Sequence, residues 1–223
     1  IGSSGTDTIK GTGKADTFTI ASSGQGNLDV LDGAAGADTL KLSTGSHVFA
    51  SDANFANIET VLTNASGSSV NLSAQTEGFT ITGGAGVDTI TGGAGVNVIT
   101  GDAGNDIISG GASADIITGG AGDDQLTGGA GADTFNIDVG TDTITDMSAA
   151  DILVISAGAT ASGTISANYT ATGATTNAGT ANLTIGTGGL SVDMSLAGGS
   201  AGFNIIGSSG TDTIKGTGKA DTF

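Results

Sequence analysis

The sequence predicts an all-β chain wound as a parallel β-helix, a β-solenoid in which each coil adds short strands to stacked sheets. Three observations lead there. A nine-residue pattern holds its register without insertion from Gly83 to Val154. Glycine is abundant, at 42 residues, while proline is absent. The acids are 20 Asp against 2 Glu. A fixed nonapeptide period marks a parallel β-helix, and paired strands exclude proline because it removes a ladder donor. The preference for the shorter carboxylate points to oxygen ligands in tight loops, since ordinary solubilising acidity uses Glu freely.

Written in nines, the stretch reads GGAGVDTIT, GGAGVNVIT, GDAGNDIIS, GGASADIIT, GGAGDDQLT, GGAGADTFN, IDVGTDTIT and DMSAADILV. The first six follow G-G-x-G-x-D-x-U-x, with U a large apolar residue. The last two keep the acidic and apolar positions but lose most glycines. Glycine lets the chain turn with positive φ, which exposes carbonyls along one rim, and the sixth-position Asp adds a carboxylate. A hard cation such as Ca²⁺ takes roughly six to eight oxygens of these kinds. The x-U-x piece reads as a strand with U pointing inward: Ile90, Ile99, Ile108, Ile117, Leu126, Phe135, Ile144 and Leu153. Two nonapeptides close one coil, so loops two repeats apart stack and can share an ion. One column carries Asp88, Asp106, Asp124 and Asp142; the other carries Asn97, Asp115, Asp133 and Asp151.

This array resembles the RTX (repeats-in-toxin) family. The resemblance implies a right-handed β-roll whose GGxGxD turns are filled with several Ca²⁺ ions. It also implies export by type I secretion through an uncleaved C-terminal signal, and a place outside the cell or on a bacterial surface, as in surface-layer proteins and large repetitive adhesins. The array departs from the pattern at Asn97, at Ser113 in the fourth position, and at Ile137 and Asp146 in the first. The Asn97/Asp115 site is therefore expected to be the weakest. Metal at Asp142 and Asp151 stays open, a hydrogen-bonded turn being the alternative.

Composition narrows the function. A net charge of −17 with 5 Lys and no Arg repels nucleic acid. Zero Cys excludes disulfides and thiolate chemistry. No run of apolar residues is long enough to span a membrane. The chain begins inside a motif at Ile1, so targeting information is expected outside this window. His47 is the only histidine and reads as a strand residue. Gly11-Thr12-Gly13-Lys14 lacks the spacing of a phosphate loop and reads as part of a nonapeptide. No catalytic constellation emerges, and the chain is expected not to be an enzyme.

In chain order, residues 1–41 form a first calcium block, with Asp7, Asp16, Asp29 and Asp38 at sixth positions. A four-residue insertion, Ile20 to Ser23, separates its two pairs of repeats, so Asp7 stacks with Asp29 and Asp16 with Asp38. Lys14, where Gly is usual, is expected to offset neighbouring carboxylates. Residues 42–82 lose the glycines but keep alternating apolar pieces (His47–Phe49, Ile58–Leu62, Val70–Leu72 and Phe79–Ile81), read as a metal-free coil section. The phrase Asn54 to Val61 is similar to one that continues the coil in RTX surface-layer proteins. Residues 83–154 are the main calcium block. Residues 155–206 read as a second metal-free β section, with strands at Thr164–Tyr169, Ala181–Ile185, Leu190–Leu196 and Phe203–Ile206. Its small polar stretch Thr170–Thr180 reads as an excursion on the flank, and a separate small sandwich is the alternative for the section.

Residues 206–223 repeat residues 1–18 without a difference. Residues 207–223 thus read as the start of a further tandem repeat, placing Asp212 and Asp221 as Asp7 and Asp16 are placed. Duplication of this kind tolerates variable length, which suits an extracellular filament, surface layer or adhesin stalk built by tandem or end-to-end self-association, with attachment to a cell surface. The alternatives are the calcium-binding secretion region of an exported enzyme or toxin, and a ligand-binding adhesin whose site lies in Thr164–Leu196.

Overall fold

The computed structural model describes residues 8–21, 30–64 and 66–223. Its strands pair in parallel and stack into two long sheets. One sheet holds ten strands, running from Thr17–Ile20 to Gly198–Gly199; the other holds nine, running from Gly45–Val48 to Asn204–Ile206. A three-stranded sheet stands at each end. The first contains Thr8–Lys10, Val30–Asp32 and Phe55–Ala56, and the second Tyr169–Thr170, Ser191–Asp193 and Thr213–Lys215. Among the described residues no helix is long and apolar enough to cross a membrane.

The central block alternates between the two long sheets because each nonapeptide supplies one strand and one turn. Residues pair with those two repeats away: Ile90 with Ile108, Ile108 with Leu126, and Leu126 with Ile144 on one wall. On the facing wall Ile99 pairs with Ile117, Ile117 with Phe135, and Phe135 with Leu153. All eight predicted inward residues are buried. Side chains alternate along a strand, so a single apolar residue per repeat is enough to fill so thin a core. Each such side chain contributes roughly 1.5–3 kcal/mol by leaving water.

Outside the centre the coils lengthen and gain a third strand. One such coil carries Phe55–Ala56, Thr60–Leu62 and Ser68–Asn71; another carries Thr160–Ile165, Tyr169–Thr170 and Thr176–Asn177. Backbone groups stacked on sixth-position acids are 18 residues apart in the centre, against 20 at Ser68–Asp88 and 22 at Asp16–Asp38. The wider coils take larger fillings, with Phe49, Phe55 and Phe79 in tilted contact and Tyr169 fully buried.

Residues 155–206 continue the same coil and do not form a separate sandwich. The expected excursion at 170–180 is corrected: Thr176–Asn177 lies in the ten-stranded sheet, paired with Val154 and Ile155. The buried Asn177 donates from Nδ2 to Gly202 O at 2.5 Å and accepts from Gly179 N at 3.0 Å, so polarity there serves the interior. Likewise Leu190–Leu196 contains only the short strand Ser191–Asp193. His47 sits in the strand Gly45–Val48, buried over Val70, with Nε2 2.9 Å from Ser43 O.

Candidate metal centres at the glycine corners

Each turn of the central block ends with its Asp facing back along the solenoid axis. From Asp106 onward the Oδ1 of that Asp accepts the backbone N–H of the sixth-position residue one coil earlier, while Asp88 accepts from Ser68 N. Asp106 accepts from Asp88 N at 2.8 Å, Asp124 from Asp106 N at 2.7 Å, and Asp142 from Asp124 N at 3.1 Å. In the second column Asp115 accepts from Asn97 N, Asp133 from Asp115 N and Asp151 from Asp133 N, at 2.7, 2.8 and 2.9 Å. The two columns are therefore those that the register predicts. Asp16 N reaches Asp38 Oδ1 at 2.7 Å in the first block, and at the far end Asp212 accepts from Leu190 N and Asp221 from Phe203 N. Asp7 and Asp29 lie outside the described residues.

The second carboxylate oxygen separates the corners into two kinds. In Asp38, Asp88, Asp106, Asp115, Asp124 and Asp142, Oδ2 is buried and has no hydrogen-bond donor. A buried carboxylate oxygen left without a partner is costly, and it calls for a positive group. At Asp38, Asp88, Asp106, Asp115 and Asp124 the first-position glycine packs against this oxygen, as it also does at Asp16, Asp212 and Asp221. A Cβ on Gly101 would stand 2.2 Å from Asp106 Oδ2 and 2.5 Å from the carbonyl of Gly119; on Gly110 it would meet Asp115 Oδ2 at 2.5 Å and Gly128 O at 2.7 Å. Asp133 has the same arrangement, 2.3 Å from a Cβ on Gly128. Among the described residues no three acidic or histidine side chains converge on one point. The donor set is instead carboxylate plus backbone carbonyl, which fits a hard oxygen-seeking cation.

In the other kind Oδ2 is already satisfied. Asp16 accepts from Thr12 N at 2.6 Å and Thr12 Oγ1 at 3.0 Å, and Asp221 from Thr217 N at 2.7 Å. Asp212 accepts from Ser208 N at 2.6 Å, and Asp151 from Ser148 N at 2.6 Å. At Asp16, Asp212 and Asp221 the donor is a Ser or Thr in the second position of the nonapeptide, where the central repeats have mostly Gly. That substitution is visible in the sequence and marks these three corners; Asp151, whose donor Ser148 stands in the third position, carries no such mark.

Asn97 is a third case. Its Nδ2 donates to Gly95 O at 2.8 Å, Gly110 O at 3.2 Å and Asp115 Oδ1 at 3.2 Å, while Oδ1 accepts from Phe79 N at 3.1 Å. The amide thus engages the kinds of oxygen that elsewhere line the open corner.

Burial sets the electrostatics. Loss of hydration raises the carboxyls of Asp88, Asp115 and Asp124 above the ordinary range. It lifts Asp106 and Asp133 to about 6 and Asp142 to about 7, with neighbouring carboxylates adding to the rise. Backbone N–H donors oppose these shifts without cancelling them. Around the columns stand further acids whose charge repels the ladder: Asp102 toward Asp88 and Asp106, and Asp123 toward Asp124 and Asp142.

Several further residues outside the predicted sixth positions complete the columns. Glu59 accepts from Asp38 N at 2.7 Å and so takes the sixth-position role, as Glu59-Thr60-Val61 matching D-x-U shows in hindsight. Thr63 caps the first column by donating its hydroxyl to Gly83 O and to Asp88 Oδ1. Asp146 closes the second column, accepting from Gly128 N at 2.9 Å and Gly129 N at 2.8 Å. The ion pairs among the described residues are Lys10 with Asp32 and Lys215 with Asp193, so the partnering expected of Lys14 is made by other lysines.

Stacked parallel coils, glycine corners and axial rows of underpaired carboxylates define a cation-binding β-solenoid. The RTX calcium-binding nonapeptide repeat (4 copies) matches residues 1–19, 23–46, 82–117, 109–144 and 199–223. These matches cover more than half of the chain, which belongs to that family and is a calcium-binding β-roll module. Neither the comparison with curated proteins nor that with solved structures finds a significant match.

Proposed function

We propose that this chain is a structural, extracellular module: a rod segment of a tandem-repeat filament, surface layer or adhesin stalk that sets only where calcium is plentiful. The buried, unpartnered Oδ2 atoms stacked along the axis carry this reading. Without a cation the columns hold like charges in a desolvated row, and bound Ca²⁺ supplies the missing folding free energy. The ligands are assigned to Asp38, Asp88, Asp106, Asp115, Asp124, Asp133 and Asp142 with the neighbouring glycine carbonyls. Asp16, Asp151, Asp212, Asp221 and Asn97 act as metal-free turns. Sites of about 10⁻⁴–10⁻³ M affinity suit the calcium level outside cells. The blocks 1–41 and 83–154 then alternate with metal-free sections 42–82 and 155–206 as stiff and wider parts of one rod.

Circular dichroism with and without EGTA tests this. The β-sheet signal is expected to collapse on chelation and return with Ca²⁺ but not with Na⁺. A signal indifferent to calcium would end the proposal. Electron microscopy of the native assembly in calcium is expected to show rods or ordered layers of rods; compact isolated particles would favour the secretion region of an enzyme or toxin instead.

A further inference from the structure

The repeated segment stands at each end of the sequence, and the described parts of its two copies, residues 8–18 and 206–223, show two halves of a junction. At the start, Thr8, Ile9 and Lys10 pair with Val30, Leu31 and Asp32. At the end, the same residues, now Thr213, Ile214 and Lys215, pair with Ser191, Val192 and Asp193. Both copies show the same exposure pattern, a half-buried Ile between exposed Thr and Lys. Ile9 and Ile214 are each half-buried because each has a neighbour on one side only, while Leu31 and Val192 beyond them are buried.

We infer that two successive units join without a linker, the segment 206–223 of one unit serving as the segment 1–18 of the next. Superposing the copies merges the two three-stranded end sheets into one. Its order is Tyr169–Thr170, Ser191–Asp193, the shared strand, Val30–Asp32 and Phe55–Ala56. The shared isoleucine then has Val192 on one side and Leu31 on the other, which completes its burial. The shared lysine stands between Asp193 and Asp32, each of which it already reaches in one copy. The second strand continues too. Thr222 bridges to Asn204, and its counterpart Thr17 pairs with Thr39, so the nine-stranded sheet of one unit runs into the ten-stranded sheet of the next. The acid row passes through unbroken, from Phe203 N to Asp221, and from its counterpart Asp16 N to Asp38. A further copy of this unit, joined in tandem, is thus the partner that each end fits.

The inference concerns how units join and rests on the rod reading only for its use of calcium. The test is a chain in which residues 19–223 follow Phe223 directly, studied by small-angle X-ray scattering in calcium. One straight rod is expected, longer than the single unit by roughly 50 Å at about 4.8 Å per coil. A scattering profile of two rods at variable angles would overturn the junction while leaving the calcium reading intact; a straight rod that persists in EGTA would overturn the calcium reading alone. As a second variant, Ile214→Asp in the two-unit chain is expected to turn the straight rod into two hinged halves that each keep their sheet signal. In the single unit the same substitution affects only the last coil. Unchanged rod geometry in the two-unit variant would also overturn the junction.

Discussion

Replacing Asn97 by Asp restores the repeat pattern and is expected to change stability in opposite directions at low and high calcium. The amide nitrogen now donates to Gly95 O at 2.8 Å and Gly110 O at 3.2 Å inside a buried corner. Losing two hydrogen bonds at about 1 kcal/mol each costs about 2 kcal/mol, before the added repulsion from Asp115. The variant gains one cation site in exchange, contributing RT ln(1 + [Ca²⁺]/Kd). The two effects balance when free calcium is roughly 30 times Kd. For a site near 10⁻⁴ M that lies at about 3 mM. Urea denaturation across a calcium series is therefore expected to give crossing curves, the variant being weaker below a few millimolar and stronger above. Equilibrium dialysis is expected to count one more ion per chain. Parallel curves with an unchanged ion count would show that Asn97 does not stand in for a cation.

Three further outcomes follow from the same corners. Because burial raises the carboxyls of Asp106, Asp133 and Asp142 to about 6, 6 and 7, the metal-free folded chain binds protons more tightly than the unfolded one. Their contribution is complete below the ordinary carboxyl range, about 4, and is lost as pH rises through 6 to 7. In EGTA, sheet circular dichroism should thus increase from pH 8 to pH 4.5, while in limiting calcium acidification should release ions; a flat EGTA profile would contradict the assigned burial. Gly101→Ala, whose Cβ would enter the corner beside Asp106 Oδ2, is expected to destabilise by roughly 1–3 kcal/mol from overcrowding and to lose calcium. Gly13→Ala, whose Cβ meets nothing within 4 Å, should be neutral or stabilising by a few tenths of a kcal/mol, and equal losses in the two would remove the corner's special role. Asp124→Ala should lower the bound-ion count in dialysis and raise the calcium concentration needed for folding, whereas Asp212→Ala should leave the ion count unchanged, since Ser208 already satisfies that carboxylate.

The sequence alone determined the coil, its two central columns and the inward row from Ile90 to Leu153, because a nine-residue period admits one register for strands that bury a single residue each. It also determined that oxygen ligands crowd the turns, since glycine and Asp recur together there. What only the tertiary structure decided is which carboxylates lack a partner. That depends on where the backbone N–H groups of each turn point, as Thr12 N does at Asp16 and Ser148 N at Asp151, while none reaches Asp106 Oδ2. The role of Glu59 and the strand at Thr176–Asn177 escaped for a related reason. Outside the central block the coils vary in length, so position no longer follows from counting, and Thr176–Asn177 enters the sheet through pairing with residues 22 away in the chain. The junction between units likewise needed both copies of the repeated segment to be seen against different neighbours, because half of each contact lies in the coil before it and half in the coil after.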